Sequence, residues 1–264
     1  MTRRLVASMS GWGKSYHSQG IIEASIPEFD YVAVLDYKDE YRGLVKAGFA
    51  SHFIVGGQEL SWSVGTWRQF FEENGAVVLA RHKLTTDEWK KVAARVTSAL
   101  RELAPESRGS LVAIDEAHWV APQSGSVPEA IEGLSTTGRG EGASSLWITQ
   151  RLAKLEEDVV SQCDEQLAGG FESKNDRNKL DPEYPEDLHN PQAEKLPKLA
   201  EELQTDDGQN IPLRKFEDDD GSTIGSEWVY ADNSGERERR DTRTMSMEST
   251  HYGDEGNPLH DPEY

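Results

Sequence analysis

Short apolar runs alternate with segments of helical periodicity over residues 1–171. Each run is rich in Val, Ile, Leu or Ala and is bounded by glycine or polar residues, which is typical of buried strands. The predicted strands are Leu5–Ser8, Tyr31–Leu35, His52–Val55, Ala76–Leu79, Leu111–Ile114, Ser145–Thr149 and Gln166–Ala168.

The segments between these runs predict helices. The clearest covers residues 86–103, where Trp89, Val92, Val96 and Leu100 would share one face and a Thr-Thr-Asp sequence would cap the start. Further helices are predicted near 14–24, 64–73, 128–136 and 156–162. This alternation predicts a three-layer α/β fold, in which helices cover both faces of a mostly parallel sheet. Ligands of such sheets bind beyond the carboxyl ends of the strands.

The composition changes after Phe171. Residues 172–230 form a predicted acidic extension, with one helix near 193–203 and a hairpin at 211–230 that turns at Asp218–Gly221. Residues 231–264 are polar and interrupted by Pro and Gly, which predicts a poorly packed, disordered tail. The chain is therefore expected to contain a core at 1–171, the extension at 172–230 and the tail at 231–264.

The net charge of −20 is unevenly distributed. Residues 1–171 carry 17 basic and 23 acidic side chains, whereas residues 172–264 carry 11 basic and 25 acidic ones. Such acidity is typical of proteins that work in molar salt, where a Debye length of about 3 Å screens self-repulsion. The sequence therefore predicts a halophilic protein, with an ordinary acidic protein as the alternative.

Several classes of protein are disfavoured by simple features. The single Cys163 excludes an internal disulfide framework. The sequence contains no apolar run of about 18 residues, the length that a transmembrane helix needs. The first residues lead directly into the first strand without the apolar region of a secretory signal, so we expect a cytoplasmic protein, with virion association as an open possibility.

Residues 8–15 match the phosphate-binding pattern G-x-x-x-x-G-K-[ST], except that Ser8 replaces the first glycine. In this pattern, backbone N–H groups wrap the phosphates of a nucleotide, Lys14 reaches the terminal phosphates and Ser15 binds Mg²⁺. The predicted cofactors are therefore ATP and Mg²⁺. The predicted nucleotide-binding residues are Ser10, Gly11, Trp12, Gly13, Lys14, Ser15 and Tyr16.

Two acidic residues follow the apolar run Leu111–Ile114. Asp115 at the strand end would hold the Mg²⁺ shell together with Ser15. Glu116 would orient the attacking water and accept its proton, which separates a hydrolysing enzyme from a protein that only binds nucleotide.

Two further residues are candidates for catalysis. Gln150 ends the strand Ser145–Thr149, where its amide would sense the γ-phosphate or the lytic water. Arg139 lies in a glycine-rich stretch and is the candidate for a mobile arginine that stabilises the transition state, in its own site or a neighbour's, with Arg151 as the alternative. Asp36 is expected to cap a strand end. His118 and Trp119 are expected to be packing and loop residues.

Taken in order, these segments resemble the HerA–FtsK group of P-loop ATPases. The resemblance rests on the loop Ser8–Ser15, on Val34–Tyr41, on Ile114–His118, and on Gly138–Gly142 leading to Ile148–Arg151. It implies an ASCE-type, RecA-like sheet, Mg-ATP hydrolysis, and a homo-oligomeric ring, usually hexameric, that moves or packages double-stranded DNA. The acidic chain as a whole resembles ATP-binding proteins of haloarchaea and of their viruses and plasmids.

The same resemblance assigns nucleotide and Mg²⁺ binding to Lys14 and Ser15, metal support to Asp115, the base to Glu116, the sensor to Gln150 and the arginine finger to Arg139. The additional N-terminal domain found in some members has no counterpart here, so a second protein is expected to supply DNA targeting.

Two functions stay open at this stage. The first is a motor that translocates or packages DNA. The second is an ATPase that remodels or assembles protein, at a virion or a membrane, without acting on DNA. The acidic charge does not favour DNA, which usually meets a basic surface. A ring pore could still concentrate the basic residues Arg81, Lys83, Lys90 and Lys91.

Overall fold

A ten-stranded mixed sheet forms the centre of the molecule. The computed structural model describes residues 2–180 and 186–252. Within these residues the strand order is β10-β9-β7-β1-β6-β5-β2-β4-β3, and β8 pairs with β9. The strands are β1 Arg3–Ala7, β2 Tyr31–Asp36, β3 Ser51–Val55, β4 Ala76–Arg81, β5 Ser110–Ile114, β6 Ala143–Thr149, β7 Glu165–Ala168, β8 Lys215–Glu217, β9 Thr223–Asp232 and β10 Arg237–Asp241.

Strands β1 to β7 pair with one another in parallel. Strand β6 lies between β1 and β5, with Ala7 opposite Thr149 and Ile114 opposite Trp147. The carboxyl ends of these three strands therefore meet at one edge of the sheet, which is where parallel sheets bind their ligands.

The helices cover both faces of this sheet. On β2, Ala33 and Leu35 join one apolar cluster with residues of α3 to α6, whereas Val32 and Val34 join a second cluster with residues of α1, α2 and the C-terminal segment. This alternation is the pattern of a strand buried on both sides. The helices are α1 Lys14–Ser25, α2 Arg42–Lys46, α3 Val64–Asn74, α4 Thr86–Leu103, α5 Glu129–Thr136, α6 Glu157–Ser161 and α7 Lys174–Arg177.

The predicted three-layer α/β fold is confirmed, and each predicted strand and helix of residues 1–171 has a counterpart within a few residues. Helix α4 begins with a reciprocal cap, in which the N–H of Glu88 donates to Oγ1 of Thr85 and the N–H of Thr85 donates to Oε2 of Glu88. Among the helices of the described residues, none has the length and apolar character that crossing a membrane requires.

The predicted hairpin is also present, formed by β8 and β9. Strand β9 continues beyond it and pairs antiparallel with β7, with Tyr230 opposite Leu167. The C-terminal strands therefore extend the central sheet. Whether residues 1–171 behave as a domain of their own stays a prediction.

The helix predicted near residues 193–203 is wrong. The chain there has no regular secondary structure, apart from one 3-10 turn at Glu201–Leu203. Pro197 in the middle of the segment cannot donate a helical hydrogen bond. The N–H of Leu199 instead donates to Oδ1 of Asn210 at 2.6 Å. Leu199 and Leu203 pack into the second apolar cluster, Leu203 from the 3-10 turn.

The prediction of a disordered tail is wrong for residues 231–252. Strand β10 pairs with β9, and the buried Arg239 forms an ion pair with Glu227. Beyond β10, the N–H groups of Glu248 and Ser249 donate to Glu23 of α1 at 2.6 and 2.9 Å. The polar groups of this segment bind one another and α1, so a polar composition is compatible with an ordered structure here. Residues 253–264 lie outside the described residues.

Candidate functional site

The loop after β1 owes its shape to two glycines. Gly11 and Gly13 have φ of 72° and 84°, in the left-handed region that glycine adopts without strain. Ser8 is buried and its φ is negative, and its N–H donates to the carbonyl of Thr149 at 3.3 Å. The position where the pattern has a glycine and this chain has serine therefore needs no glycine, which explains why Ser8 is tolerated.

The Trp12 side chain is turned away from the cavity and is only 1 % exposed. Its Nε1 donates to the carbonyl of Glu227 at 3.1 Å, and Oγ of Ser226 donates to the carbonyl of Trp12 at 2.6 Å. A Cβ on Gly169 or Gly170 would collide with the indole ring. Trp12 therefore anchors the loop to β9. Of the part in nucleotide binding that the sequence predicts for Trp12, only a contact through its backbone is compatible with the buried side chain.

Lys14 and Asp115 face each other in the buried interior of the site. Lys14 Nζ lies 4.0 Å from Oδ1 of Asp115, and neither carboxylate oxygen of Asp115 has a hydrogen-bond partner among the described residues. Burial raises the pKa of Asp115 to about 7, and the charge of Lys14 acts in the opposite direction. A buried carboxylate with free lone pairs is stabilised by a cation.

The residues present fit a hydrated Mg²⁺, which is usually bound by one or two carboxylates, several waters and substrate phosphates. Asp115 would supply the carboxylate, and Ser15 at the start of α1 would supply a hydroxyl. Ser15 Oγ donates to Oε2 of Glu40, so Glu40 is a second acidic group beside the same hydroxyl. No cluster of three or more His, Cys, Asp or Glu suited to a metal occurs in residues 2–180 and 186–252.

Glu116 has a strained backbone and a tightly held side chain. Its φ of 48° is in the left-handed region, which is rare for a residue with a Cβ and is often found at functional sites. Its side chain is buried, and Oε1 accepts a hydrogen bond from Nε2 of Gln150 at 2.7 Å. The same oxygen lies 2.6 Å from Nζ of Lys38. The predicted base and the predicted sensor are therefore in direct contact.

His118 lies behind Glu116, with Nδ1 3.4 Å from Oε2 of Glu116 and 3.0 Å from Oγ1 of Thr149. Burial lowers the pKa of His118 to about 4, so the imidazole is neutral near pH 7. His118 is a packing residue, as expected. Trp119 is 40 % exposed and stacks on Tyr37, with ring centroids 6.3 Å apart.

Sequence reasoning gave no role to Lys38 and Glu40. Both follow Asp36, whose carboxylate accepts the N–H groups of Glu40 and Tyr41 at 3.0 and 2.9 Å. Asp36 therefore caps the turn after β2, as predicted. Its burial, together with the neighbouring Asp115, raises its pKa well above the usual value. The position of Lys38 and Glu40 beside the site could have been predicted from the sequence, because β2 and β5 are parallel and end at the same edge of the sheet.

Arg139 is not part of this cluster. It precedes β6, and its Nη1 lies 3.1 Å from Oδ1 of Asp164, which also pairs with Arg3 at the start of β1. The seven residues of β6 separate the two edges of the sheet by roughly 23 Å, at about 3.3 Å per residue. The structure thus groups Lys14, Asp115, Glu116 and Gln150 within one chain and places Arg139 at the opposite edge.

A cavity of about 950 Å³ opens beside the loop. Its walls include the loop residues except Ser8 and Trp12, together with Tyr16, Lys38, Glu40 and Gln150. On another side it is lined by Gly221–Gly225 at the hairpin and by Met247–Tyr252. This volume is at the upper end of the range for small-molecule sites and is sufficient for a nucleoside triphosphate.

The loop shaped by Gly11 and Gly13 leads from the parallel strand β1 into helix α1. Strand β6, which ends just before Gln150, lies between β1 and β5, the strand that precedes Asp115. The fold is that of a P-loop NTPase. Solved structures with this fold include B204, the genome-packaging NTPase of Sulfolobus turreted icosahedral virus 2, in complex with ATP-gammaS. It superposes with a TM-score of 0.55 at 16 % identity, over 90 % of this chain and 96 % of B204.

B204 from Sulfolobus turreted icosahedral virus, described as a DNA-packaging ATPase, has a TM-score of 0.55 at 14 % identity over 98 % of both chains. ATPases 2 and 3 of EssC from Geobacillus thermodenitrificans give 0.52 at 10 % identity, over 94 % of this chain and 41 % of that one. No protein-family model and no curated protein matches the chain. At these identities the likeness establishes the P-loop NTPase fold.

Proposed function

We propose that the protein is a Mg²⁺-dependent ATPase motor that translocates DNA, in the manner of a viral genome-packaging enzyme. The observation that carries the proposal is the contact of Glu116 with Gln150 beside the Lys14–Asp115 pair. A protein that only binds nucleotide needs the loop and the metal carboxylate. The additional buried glutamate, held by an amide, is the arrangement that hydrolysis requires.

In the proposed mechanism, backbone N–H groups of Gly11 to Ser15 and the Nζ of Lys14 bind the phosphates. Ser15 Oγ and Asp115 would hold Mg²⁺, which would supply positive charge against the phosphate oxygens. Glu116 accepts the proton of the attacking water, and the amide of Gln150 orients Glu116 and that water. Burial of Asp115 and Glu116 strengthens these interactions, because the local dielectric constant is low.

The DNA part of the proposal is supported by the similarity to the two B204 proteins, both described as genome- or DNA-packaging enzymes. The position of Arg139 supports an oligomer. An arginine at the edge opposite its own nucleotide site can contact phosphate only in a neighbouring subunit. A ring of such subunits would complete each site.

A specific observation favours the second candidate function, an ATPase that remodels protein. The net charge of −20 gives no general attraction for DNA phosphates. A protein partner with a basic surface would be attracted by the same charge. The two functions differ in one measurable respect, which is the effect of duplex DNA on ATP turnover.

The test is ATP turnover in molar KCl, with and without duplex DNA. We expect turnover that DNA stimulates. Lys14→Ala should lose nucleotide binding, and Glu116→Gln should bind ATP but turn it over about 10²-fold or more slowly, because the positioned base is lost. The exposed Glu129→Gln is the matched control.

Each outcome has a distinct meaning. Unchanged turnover in Glu116→Gln would overturn the assignment of the base. Turnover that duplex DNA leaves unchanged, with the ring assembled, would overturn the DNA motor in favour of the protein-remodelling ATPase.

A further inference from the structure

The last described residues form a strap, defined here as residues 245–252, that lies along α1. Gln19 Nε2 donates to Oγ of Ser249 at 2.7 Å, and Oε1 of Gln19 lies 3.0 Å from Nδ1 of His251. One turn further along α1, Glu23 accepts the two backbone N–H groups of Glu248 and Ser249. The strap is therefore fixed to the helix that follows the phosphate-binding loop.

Two glycines make room for the strap. A Cβ on Gly43 of α2 would collide with the carbonyl oxygen of Thr250, and a Cβ on Gly20 of α1 would lie 2.9 Å from Cε of Met245. The contact at Thr250 is with a backbone atom, which cannot shift without moving the neighbouring chain, whereas the Met245 side chain is flexible. The groove between α1 and α2 is thus shaped to hold the strap at Thr250.

The strap lines the same cavity as the phosphate-binding loop. Residues 247–252 and the hairpin residues 221–225 line it, together with Tyr16, which directly follows the loop in the chain. The Tyr16 and His251 rings meet edge to face, with centroids 6.1 Å apart, and the Tyr252 ring carries the ammonium of Lys46 at 3.8 Å. All three rings therefore line the cavity that the phosphate-binding loop also lines.

We propose that the part of the cavity lined by these rings binds the nucleoside part of the nucleotide, with the base against Tyr16, His251 and Tyr252. The inference rests on the proposed nucleotide-binding function and extends it to the C-terminal strap. A phosphate group bound by Gly11 to Ser15 leaves the base and ribose to occupy the remaining space. Aromatic rings suit a base because they present edges and faces to its π system.

This assignment predicts a difference between two ligands that share the same phosphates. Mg-ATP has a nucleoside, whereas inorganic tripolyphosphate with Mg²⁺ has none. Both would meet the loop, but only ATP would meet the strap. We expect wild-type protein in molar KCl to bind ATP at least about tenfold more tightly than tripolyphosphate in a calorimetric titration, which corresponds to about 1.4 kcal/mol.

Three variants test the strap directly. His251→Ala and Tyr252→Ala remove rings, and Gly43→Ala displaces Thr250 and with it the strap. Each should weaken ATP binding about tenfold while leaving tripolyphosphate binding within about twofold. Gly57→Ala, where a Cβ meets no atom within 4 Å and φ is not positive, is the matched control for Gly43→Ala.

The results separate the two proposals. Equal affinity of the wild-type protein for ATP and tripolyphosphate would overturn the nucleoside site while leaving the phosphate site intact, and this measurement needs no variant to fold. Equal losses for both ligands in the ring variants would also overturn it. Failure of the wild-type protein to bind either ligand would overturn the proposed function itself.

Discussion

Lys38 Nζ and Oε1 of Glu116 are 2.6 Å apart, and the same oxygen accepts the Gln150 amide at 2.7 Å. Oε2 of Glu116 accepts no hydrogen bond from the described residues. The carboxylate is thus held through one oxygen and has lone pairs available on the other. This division suits a base that must be oriented and still accept a proton.

The first prediction concerns Lys38. Lys38→Met should keep ATP binding and lower kcat about tenfold or more, because Glu116 loses the stronger of its two partners and its orientation. Lys195→Met, at an exposed position outside the site, should leave kcat unchanged. Steady-state turnover and a separate measurement of ATP binding would check this. Wild-type kcat in Lys38→Met would show that the ion pair does not position the base.

The second prediction is that Arg139 acts across a subunit interface. Arg139→Ala should bind ATP and lose turnover, because the developing charge on the phosphate loses a stabilising guanidinium, an effect on the order of 10³-fold in other NTPases. Mixing Arg139→Ala with the inactive Lys14→Ala should restore part of the activity, since mixed neighbours form some complete sites.

Light scattering would verify that the mixture assembles. An assembled mixture without activity would restrict Arg139 to its ion pair with Asp164, because its own nucleotide site lies at the other edge of the sheet. Arg151→Ala is the informative companion, since Arg151 directly follows Gln150. Loss of turnover in Arg151→Ala alone would transfer the role of the mobile arginine to that residue.

The third prediction concerns salt. With a net charge of −20, the folded protein should gain stability as KCl rises. Between about 0.1 M and 1 M the Debye length falls from about 10 Å to about 3 Å, which screens the repulsion between acidic side chains. A thermal melt across a salt series would measure this. A melting temperature that stays flat from low to molar KCl would remove the proposal of a halophilic protein.

The fourth prediction concerns pH. His189 is buried, and its Nδ1 lies 2.8 Å from the carbonyl oxygen of Gly169. Burial lowers the pKa of His189 from 6.5 to about 4. The unfolded chain therefore binds a proton at a higher pH than the folded chain does. As pH falls from 6.5 to 4, this residue should lower the free energy of unfolding by up to about 3 kcal/mol.

Chemical denaturation of the wild-type protein and His189→Gln over this pH range isolates the effect, because all other titrating groups are common to both proteins. The stability difference between the two should shrink as the pH falls. Parallel stability curves would mean that His189 does not change its protonation on unfolding.

The sequence predicted the parts of the site that lie close together in the chain. The loop and its helix, and the acidic pair after β5, depend on local strand ends and glycine positions, which a single sequence displays. Arg139 could also have been located, because it precedes a parallel strand and must lie at that strand's amino end.

The strap and its contacts could not be predicted in this way. The hydrogen bond between Glu248 and Glu23 joins residues separated by 225 positions. The residues of the strap are mostly polar, and a polar composition by itself is typical of unfolded segments. The groove above Gly43 and the side chains of Gln19 and Glu23 hold the segment in place.

The anchoring of Trp12 by β9 has a consequence for truncated versions of the protein. Without β9, the indole Nε1 would lose its acceptor, and the edge of β7 would expose unpaired backbone groups. An unpaired strand edge beside an exposed tryptophan favours pairing between copies of the truncated chain. Shortened versions that stop near residue 171 are therefore prone to aggregate, whereas versions that keep β9 and β10 preserve a covered edge.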